Sequence, residues 1–141
     1  MTSAAINVVQ AFIAAINRRD PAAISELMTE DHVFVDSRGT VVSGRAKMTA
    51  GWKEYFRMFP DFGIHVEEML AERSVVAVFG SASGTYNGRR GLVAKNRIAM
   101  PAAWKAIVEK GKIKFWRVYA DWTEGIRIIE EDRTSGERRK P

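Results

Sequence analysis

Two aspartates end or interrupt apolar segments, where a buried carboxylate could move protons. Asp36 closes the short segment His-Val-Phe-Val-Asp at 32–36, and Asp121 lies in the aromatic and β-branched segment 112–123. Burial raises the pKa of a carboxyl group and favours roles in general acid and base catalysis. If folding brings Asp36 and Asp121 into one cavity, the chain holds an acid–base site.

Both aspartates also have a structural alternative. Asp36 could start the turn Ser37-Arg38-Gly39, since aspartate side chains accept hydrogen bonds from turn amides. Asp121 could pair with Arg97 or Arg117 as a structural salt bridge. The sequence leaves both alternatives open.

The two histidines differ in what they could do. His32 faces the same way as Asp36 by strand alternation and titrates near neutral pH, so either a pocket role or a surface role is open to it. His65 shares a strand face with Glu67 and is expected to be exposed. Histidines this far apart give no metal-ligand spacing, and we expect neither a metal nor an organic cofactor.

The composition is that of one ordinary globular domain. The chain has 141 residues, of which 46% are hydrophobic and 28% charged, enough for a core and a ligand cavity together. It contains no cysteine, which excludes a thiolate nucleophile and a cysteine zinc site. A signal-peptide pattern and an apolar run of roughly 20 residues are both missing, so we expect a cytoplasmic protein without a membrane partner.

The formal net charge of +5 is concentrated in two places. One basic group comprises Arg89, Arg90, Lys95 and Arg97. It lacks the interleaved aromatic residues of a nucleic-acid surface, so we expect a solvated loop and no nucleic-acid partner. The other group lies in residues 132–141, which are predicted to form a polar basic tail after a domain of residues 1–131.

The order of elements predicts an α+β fold. Apolar spacing predicts a first helix up to Arg18-Arg19, Asp20-Pro21 starts a second, and a third runs from Ser43-Gly44 to Pro60. The predicted strands are 32–36, 40–42, 62–67, 75–86, 95–108 and 112–123. Pro101 indicates an edge or a bulge, and Gly80 indicates bending or close packing.

Three stretches within residues 3–130 are informative together with the order of the elements, namely AFIAAINRRDPAAISELMTEDHVFVDSRGTVVSGRAKM, FPDFGIHVEEMLAE and MPAAWKAIVEKGKIKFWRVYAD. They resemble the nuclear transport factor 2-like superfamily, in its SnoaL-like or ketosteroid-isomerase-like branch. The resemblance implies a cone, in which a curved antiparallel sheet and N-terminal helices on its concave face enclose a pocket. It also implies a homodimer through the outer sheet face. The same cone serves several activities, so the resemblance is weaker evidence for function.

The resemblance places Asp36 where ketosteroid isomerases keep their general base. The positions of their two oxygen-binding donors hold Phe12 and Ala103, which argues against steroid isomerase activity. The limonene epoxide hydrolase pattern is met only by Arg97 and Asp121, because Ala99 replaces the partner acid. Polyketide cyclases of the SnoaL-like kind use an aspartate on the last strand, and Asp121 is similar in placement.

Strand alternation separates two faces of the last strand. We expect Arg117, Tyr119 and Asp121 to face the pocket, and Trp116 and Trp122 to face a dimer interface. The predicted pocket residues are Phe12, Trp52, Tyr55, Arg97, Trp104 and Arg117. Such a pocket would bind a flat, mostly apolar molecule with one or two oxygens.

The leading hypothesis is an enzyme that moves a proton on a small hydrophobic carbonyl compound, as an isomerase, cyclase or dehydratase. Asp36 would be the base, Asp121 or His32 the acid, and Tyr119 or Tyr55 the donor to the oxygen. The alternative is a non-catalytic dimeric module of the same fold that binds a hydrophobic ligand.

Overall fold

The computed structural model describes residues 3–135, which form four α-helices and six strands. The helices are α1 (Ala4–Asn17), α2 (Pro21–Glu26), α3 (Arg45–Met58) and α4 (Thr123–Ser135). The strands are β1 (Met28–Val35), β2 (Val41–Ser43), β3 (Gly63–Glu72), β4 (Val75–Thr85), β5 (Arg97–Glu109) and β6 (Lys112–Ala120). In this part of the chain, no helix is both long enough and apolar enough to span a membrane.

The six strands form a single sheet in the order β2-β1-β6-β5-β4-β3. Neighbouring strands are antiparallel except β1 and β6, which run parallel. The sheet is curved and does not close into a barrel. α1 packs against strands β3 to β6. The predicted α+β cone is therefore confirmed.

The first two helices begin at the predicted signals. Ser3 Oγ accepts a hydrogen bond from the amide of Ile6 at 3.0 Å and caps α1. Asp20 Oδ1 accepts one from the amide of Ala23 at 3.2 Å, and Pro21 is the first residue of α2. Both bonds satisfy amides that a helix leaves without an internal partner.

Pro101 lies within β5 where that strand has a partner on one side. It pairs with Ser81 of β4, whereas the pairing of β5 with β6 begins one residue later, at Ala102. A residue without an N–H donor is tolerated at such a half-paired position. The edge predicted at Pro101 is present, and the strand continues through it.

Gly80 lies where β3 bulges toward β4. The pairing register shifts between Val66 and Glu68, opposite Gly80 and Phe79. A Cβ atom at Gly80 would lie 1.9 Å from the carbonyl oxygen of His65. The close packing predicted for this glycine is confirmed, because the backbone of β3 approaches it next to the bulge.

The C-terminal helix α4 departs from the expectation. Segment 112–123 was predicted to be all strand, followed by a polar tail from residue 132. Instead β6 ends at Ala120, and α4 runs through the boundary predicted at residue 131. Asp132, expected in the tail, is only 1% exposed. Residues 136–141 of the predicted tail lie outside the described residues.

Gly80→Ala should destabilise the protein by about 1–3 kcal/mol, because the new methyl group would overlap backbone atoms that cannot rotate away. Urea unfolding followed by circular dichroism measures the change. Gly51→Ala is the control. Its nearest neighbour would be the flexible Met48 sulfur at 3.7 Å, and alanine favours a helix interior. Equal stability of the two variants would contradict the close approach.

Candidate functional site

A cavity of about 400 Å³ lies between the concave face of the sheet and helices α3 and α4. Its wall contains eight aromatic residues, namely Phe34, Trp52, Tyr55, Phe59, Phe62, Trp104, Trp116 and Trp122. All four tryptophans of the chain are among them. The size and the apolar wall are those of a small-molecule site.

Helix α3 supplies one side of the wall. Met48, Trp52, Tyr55 and Phe59, spaced by three or four residues, fall on one face of the helix and its C-terminal cap. The Trp52 and Tyr55 rings meet edge to face, with centroids 6.1 Å apart. The predicted pocket role of Trp52, Tyr55 and Trp104 agrees with their placement in the wall.

Strand β6 and the residues after it form the opposite side of the wall. The face of this segment that lines the cavity is the one that was expected to point away from it. Trp116, Val118, Ala120 and Trp122 line the cavity. Trp116 is 1% exposed, whereas Tyr119 is 48% exposed on the outer face of the sheet. The reason is that the larger apolar surface of the tryptophans is buried between sheet and helices.

Arg117 and Tyr119 therefore lie on the outer face and do not line the cavity. The Arg117 guanidinium lies 5.1 Å from the centre of the Tyr119 ring, a cation–π contact. The pocket role expected for Arg117 and the donor role expected for Tyr119 are not compatible with this placement.

The charged residues in the cavity wall are Asp36 and Arg38, which belong to the turn after β1. Asp36 Oδ1 accepts hydrogen bonds from the amides of Arg38 and Thr40, both at 2.9 Å. Asp36 is half-buried and Arg38 is exposed, so the wall reaches the surface here. Asp36 thus shapes the turn and also lines the cavity. Both bonds fall on Oδ1, which leaves Oδ2 available to a ligand.

Two further polar groups of the wall come from α3. The Nε1 of Trp52 is buried and has no hydrogen-bond partner within residues 3–135. The Tyr55 hydroxyl makes no hydrogen bond to any described residue either. Burial raises the pKa of Tyr55 well above its ordinary value. The hydroxyl therefore stays protonated and can donate.

Asp121 and Arg97 are both exposed and lie outside the cavity wall. Asp121 Oδ1 accepts hydrogen bonds from Thr123 Oγ1 at 2.6 Å and from the Thr123 amide at 2.9 Å. These bonds lower the pKa of the Asp121 carboxyl and keep it charged in the turn before α4. The expectation that Asp36 and Asp121 share a cavity is wrong, because β6 ends before Asp121.

His32 and Phe12 lie in the core behind the cavity wall. His32 is fully buried, and its Nδ1 lies 2.8 Å from the carbonyl oxygen of Ile113. Its ring centre is 6.4 Å from that of Phe12. Burial lowers the pKa of His32, so it is neutral at neutral pH. Neither side chain lines the cavity, and the acid role expected for His32 has no path to a ligand there.

Helix α4 adds Ile126 and Ile129 to the wall, next to Trp122, which precedes the helix. Asp132 anchors α4. Asp132 accepts hydrogen bonds from the amides of Arg89 and Arg90, each at 2.7 Å, and from Asn96 Nδ2 at 3.0 Å. A Cβ at Gly88 would lie 2.1 Å from Asp132 Oδ2. The basic loop predicted to be solvated therefore holds α4 in place.

Asp132 remains charged although it is buried. Burial alone would raise the pKa of its carboxyl, but hydrogen bonds from Asn96, Arg90 and Arg89 outweigh that effect and hold the pKa below its ordinary value. No sequence pattern indicates that a carboxylate in this polar C-terminal stretch is buried. Within residues 3–135, no three or more His, Cys, Asp or Glu side chains are grouped to hold a metal ion.

The family model of the SnoaL-like domain matches residues 9–116. The chain belongs to the SnoaL-like domain family. The match extends from α1 into β6 and includes Asp36, Trp52, Tyr55 and Trp104 of the cavity wall. Among curated proteins, none matches this SnoaL-like domain significantly.

Solved structures share the fold of this SnoaL-like domain. A candidate polyketide cyclase from Xanthomonas campestris pv. campestris is 20% identical, with a TM-score of 0.79 over 89% of this chain and 96% of that chain. An LEH-like epoxide hydrolase from M. tuberculosis is 16% identical, with a TM-score of 0.76 over 99% and 98%. A protein of ketosteroid isomerase-like fold from Catenulispora acidiphila, in complex with trimethylamine, is 18% identical, with a TM-score of 0.74 over 85% and 89%. At these identities the likeness establishes the fold.

Asp132→Asn should destabilise this SnoaL-like domain by about 2–4 kcal/mol, because it removes charge-assisted hydrogen bonds from a buried site. Urea unfolding at neutral pH measures the loss. The folded pKa of Asp132 is depressed, so the contribution of the carboxylate is complete above the ordinary aspartate value of about 3.9. The difference in free energy of unfolding between the wild type and Asp132→Asn should shrink as the pH falls through the pKa of Asp132 in the folded protein.

Glu130→Gln is the matched control on the same helix. Its partner Arg133 lies 2.9 Å away at the surface, and exposed pairs of this kind contribute at most about 1 kcal/mol. A loss for Asp132→Asn no larger than that of Glu130→Gln would contradict the anchoring role.

Proposed function

We propose that the cavity binds a flat, hydrophobic carbonyl compound and that Asp36 moves a proton at the carbon next to the carbonyl group. One observation carries the proposal. Asp36 is the only acid in the described wall of a cavity that is otherwise mainly aromatic. An apolar surrounding strengthens the interaction of a carboxylate with a substrate that excludes water.

The proposed reaction needs one carboxylate. Asp36 Oδ2 takes the proton, the electrons of the C–H bond form a carbon–carbon double bond, and the π electrons of the carbonyl group move to its oxygen, so that an enolate forms. The Tyr55 hydroxyl donates a hydrogen bond to that oxygen. Asp36 then returns the proton to the same carbon or to a conjugated one, which regenerates the carboxylate.

Among the activities of this cone, isomerisation fits the wall best. A dehydratase or a cyclase that uses a separate acid needs a second titratable group, and both groups expected in that role, Asp121 and His32, lie outside the wall. Arg38, the other charged residue of the wall, carries a guanidinium group, which has N–H donors and no acceptor for a proton. The names of the similar structures, a polyketide cyclase and an epoxide hydrolase, support a small molecule as the ligand.

One observation favours a non-catalytic binding module as a second candidate. The two turn amides that bond to Asp36 Oδ1 give this carboxylate a structural reason to be present. A binding module would retain the hydrophobic ligand without chemical change.

Asp36→Asn separates the two candidates. With 2-acetylnaphthalene as the probe, the wild-type protein should catalyse exchange of the methyl protons in deuterium oxide, followed by nuclear magnetic resonance. The exchange rate of the variant should be lower than that of the wild type by about 100-fold or more, since general base catalysis contributes that much. Asparagine still accepts the turn hydrogen bonds, so the fold should persist.

Asp121→Asn is the control, because Asp121 lies in a surface turn, and its exchange rate should equal that of the wild type. Unchanged exchange in Asp36→Asn would overturn the proton-transfer role. Binding of the ketone by the wild type without exchange would favour the binding module.

We also propose that the protein is a homodimer through the outer face of the sheet. Phe79, Ala103 and Tyr119 are paired across β4, β5 and β6, and Phe79 is 43% exposed. Leu70 and Val75 add further exposed apolar surface on β3 and β4. Exposed apolar and aromatic residues on one face of a sheet are typical of homodimer interfaces. Trp116 and Trp122, expected in that interface, lie on the opposite face.

Phe79→Glu should shift the protein to monomers, because a dimer with two-fold symmetry would bury the new charge twice. Sedimentation velocity measures the state over a range of concentrations. Leu92→Glu is the control, since Leu92 is an even more exposed apolar residue, at 59%, in the loop after β4. A dimer that survives Phe79→Glu, or a wild-type monomer at all concentrations, would rule out this interface.

A further inference from the structure

We infer that an alanine floor, made of Ala82, Ala102 and Ala120, determines the size of the ligand, and that the ligand class is an aromatic ketone with fused rings. The inference deepens the proposed function, since it rests on the cavity being the ligand site. It does not depend on proton transfer by Asp36.

The alanine floor spans three neighbouring strands. Ala102 of β5 lies directly opposite Ala120 of β6, and Ala82 of β4 lies opposite Met100, two residues before Ala102. All three alanines line the cavity. Since neighbouring strands are about 4.8 Å apart, the floor is roughly 10 Å wide across the sheet.

The side chains of Ala102 and Ala120 face the cavity. Ala102 lies midway between Met100 and Trp104 on β5, and Val118 lies two residues before Ala120 on β6. All of these residues line the cavity, and residues two apart on a strand share a face of the sheet. A larger side chain at either alanine would therefore extend into the cavity.

The pairing of two small residues leaves space that a packed core would fill. Ala106, on the same face of β5, lies opposite Trp116. Both are buried, so at this pair a large side chain compensates for a small one. Opposite Ala102, by contrast, there is another alanine. Protein interiors are close-packed, so the open volume above Ala102 and Ala120 indicates a place for a ligand.

Aromatic side chains border the floor along the strands. At one end, the rings of Trp104 and Trp116 stack with their centres 6.3 Å apart. At the other end, the ring centre of Trp122 lies 6.2 Å from that of Phe59. Trp104 and Met100 are four residues apart, roughly 13 Å along an extended strand. The bordered area is therefore of similar length and width.

A fused ring system fits this area better than a single ring does. Two fused rings that lie flat on the floor contact the methyl groups of all three strands. A single ring covers less of the floor and leaves the rest without contacts. Because dispersion contacts are individually weak and add up over the area covered, the floor favours fused rings.

The position of Asp36 agrees with a ketone bound on this floor. Phe34 of β1 lies beside Trp116 in the parallel pairing with β6. The same register places Asp36, two residues further along the chain, beside Val118, which is two residues before Ala120. A ring system on the floor therefore has its edge close to Asp36, where the carbon next to the carbonyl group would lie.

Ala102→Leu and Ala120→Leu test the inference, with 2-acetylnaphthalene and acetophenone as the two-ring and one-ring probes. Calorimetry measures the Kd values, and the wild-type protein should prefer the two-ring ketone. Each leucine would occupy part of the floor. Each variant should bind the two-ring ketone about tenfold or more weakly, with binding of the one-ring ketone changed by less than about threefold.

A second measurement needs no ligand. A leucine at either position of the floor would enter open space, so the urea midpoint of unfolding should stay the same or rise. Ala106→Leu is the matched control on the same face of β5, because the leucine would crowd Trp116 and lower the midpoint. Ala99→Leu controls for a leucine in β5 that is exposed and outside the cavity wall, and both Kd values should be those of the wild type.

Three results would overturn the role of the floor. They are equal changes in the binding of both ketones in the two floor variants, urea midpoints of those variants as low as that of Ala106→Leu, and failure of the folded wild-type protein to bind 2-acetylnaphthalene.

The reaction and the floor can fail separately. Selective loss of the two-ring ketone together with full proton exchange in Asp36→Asn would support the floor and remove the proposed reaction. Equal changes for both ketones together with lost exchange in Asp36→Asn would support the reaction and remove the floor.

Discussion

The direction in which the side chains of β6 alternate determines the chemistry that this cone can hold. With Trp116 inward, Arg117 and Tyr119 are outward, because successive residues of a strand face opposite sides. The inner face then carries indoles and the outer face carries a cation and a phenol. This direction of alternation has three consequences. The cavity is apolar, Asp36 is the only acid in its described wall, and aromatic residues are exposed on the other side of the sheet.

The buried carboxylate of this protein is a structural residue, whereas the candidate for chemistry is a less buried one. Both oxygens of Asp132 accept hydrogen bonds from the loop before β5, and the residue lies outside the cavity wall. Asp36 is bonded through Oδ1 alone and adjoins the cavity. Burial alone would favour Asp132 as the candidate for chemistry. The hydrogen bonds favour Asp36, because one of its two carboxylate oxygens has no partner among the described residues.

Much of the scaffold could be predicted from local patterns. The pair Asp20-Pro21 predicts both the cap and the first residue of α2. The apolar spacing along α3 predicts that Trp52 and Tyr55 lie on one face of that helix. Gly80 was identifiable because a glycine inside a strand marks a close approach. Each of these features depends only on residues that are close together in the sequence, and therefore local patterns are enough to predict it.

The site was harder to predict because it depends on contacts between distant segments. Both faces of β6 carry aromatic residues, so alternation separates the faces without telling which one is buried. The sequence pattern does not predict α4, because the aromatic and β-branched segment 112–123 indicates a strand that includes Asp121. The charge spacing of Glu124, Arg127 and Glu131, which form ion pairs along one face of that helix, was the signal that could have revealed it. Without α4, the end of β6 and the position of Asp121 could not be placed.

A crystal structure of the protein with 2-acetylnaphthalene would test this account most directly. The naphthalene rings should lie among the tryptophans, with the carbonyl oxygen within about 3 Å of the Tyr55 hydroxyl, and with the methyl carbon facing Asp36. A ligand bound on the outer sheet face, or a carbonyl group that points away from α3 with an aromatic ring between the methyl carbon and Asp36, would contradict it.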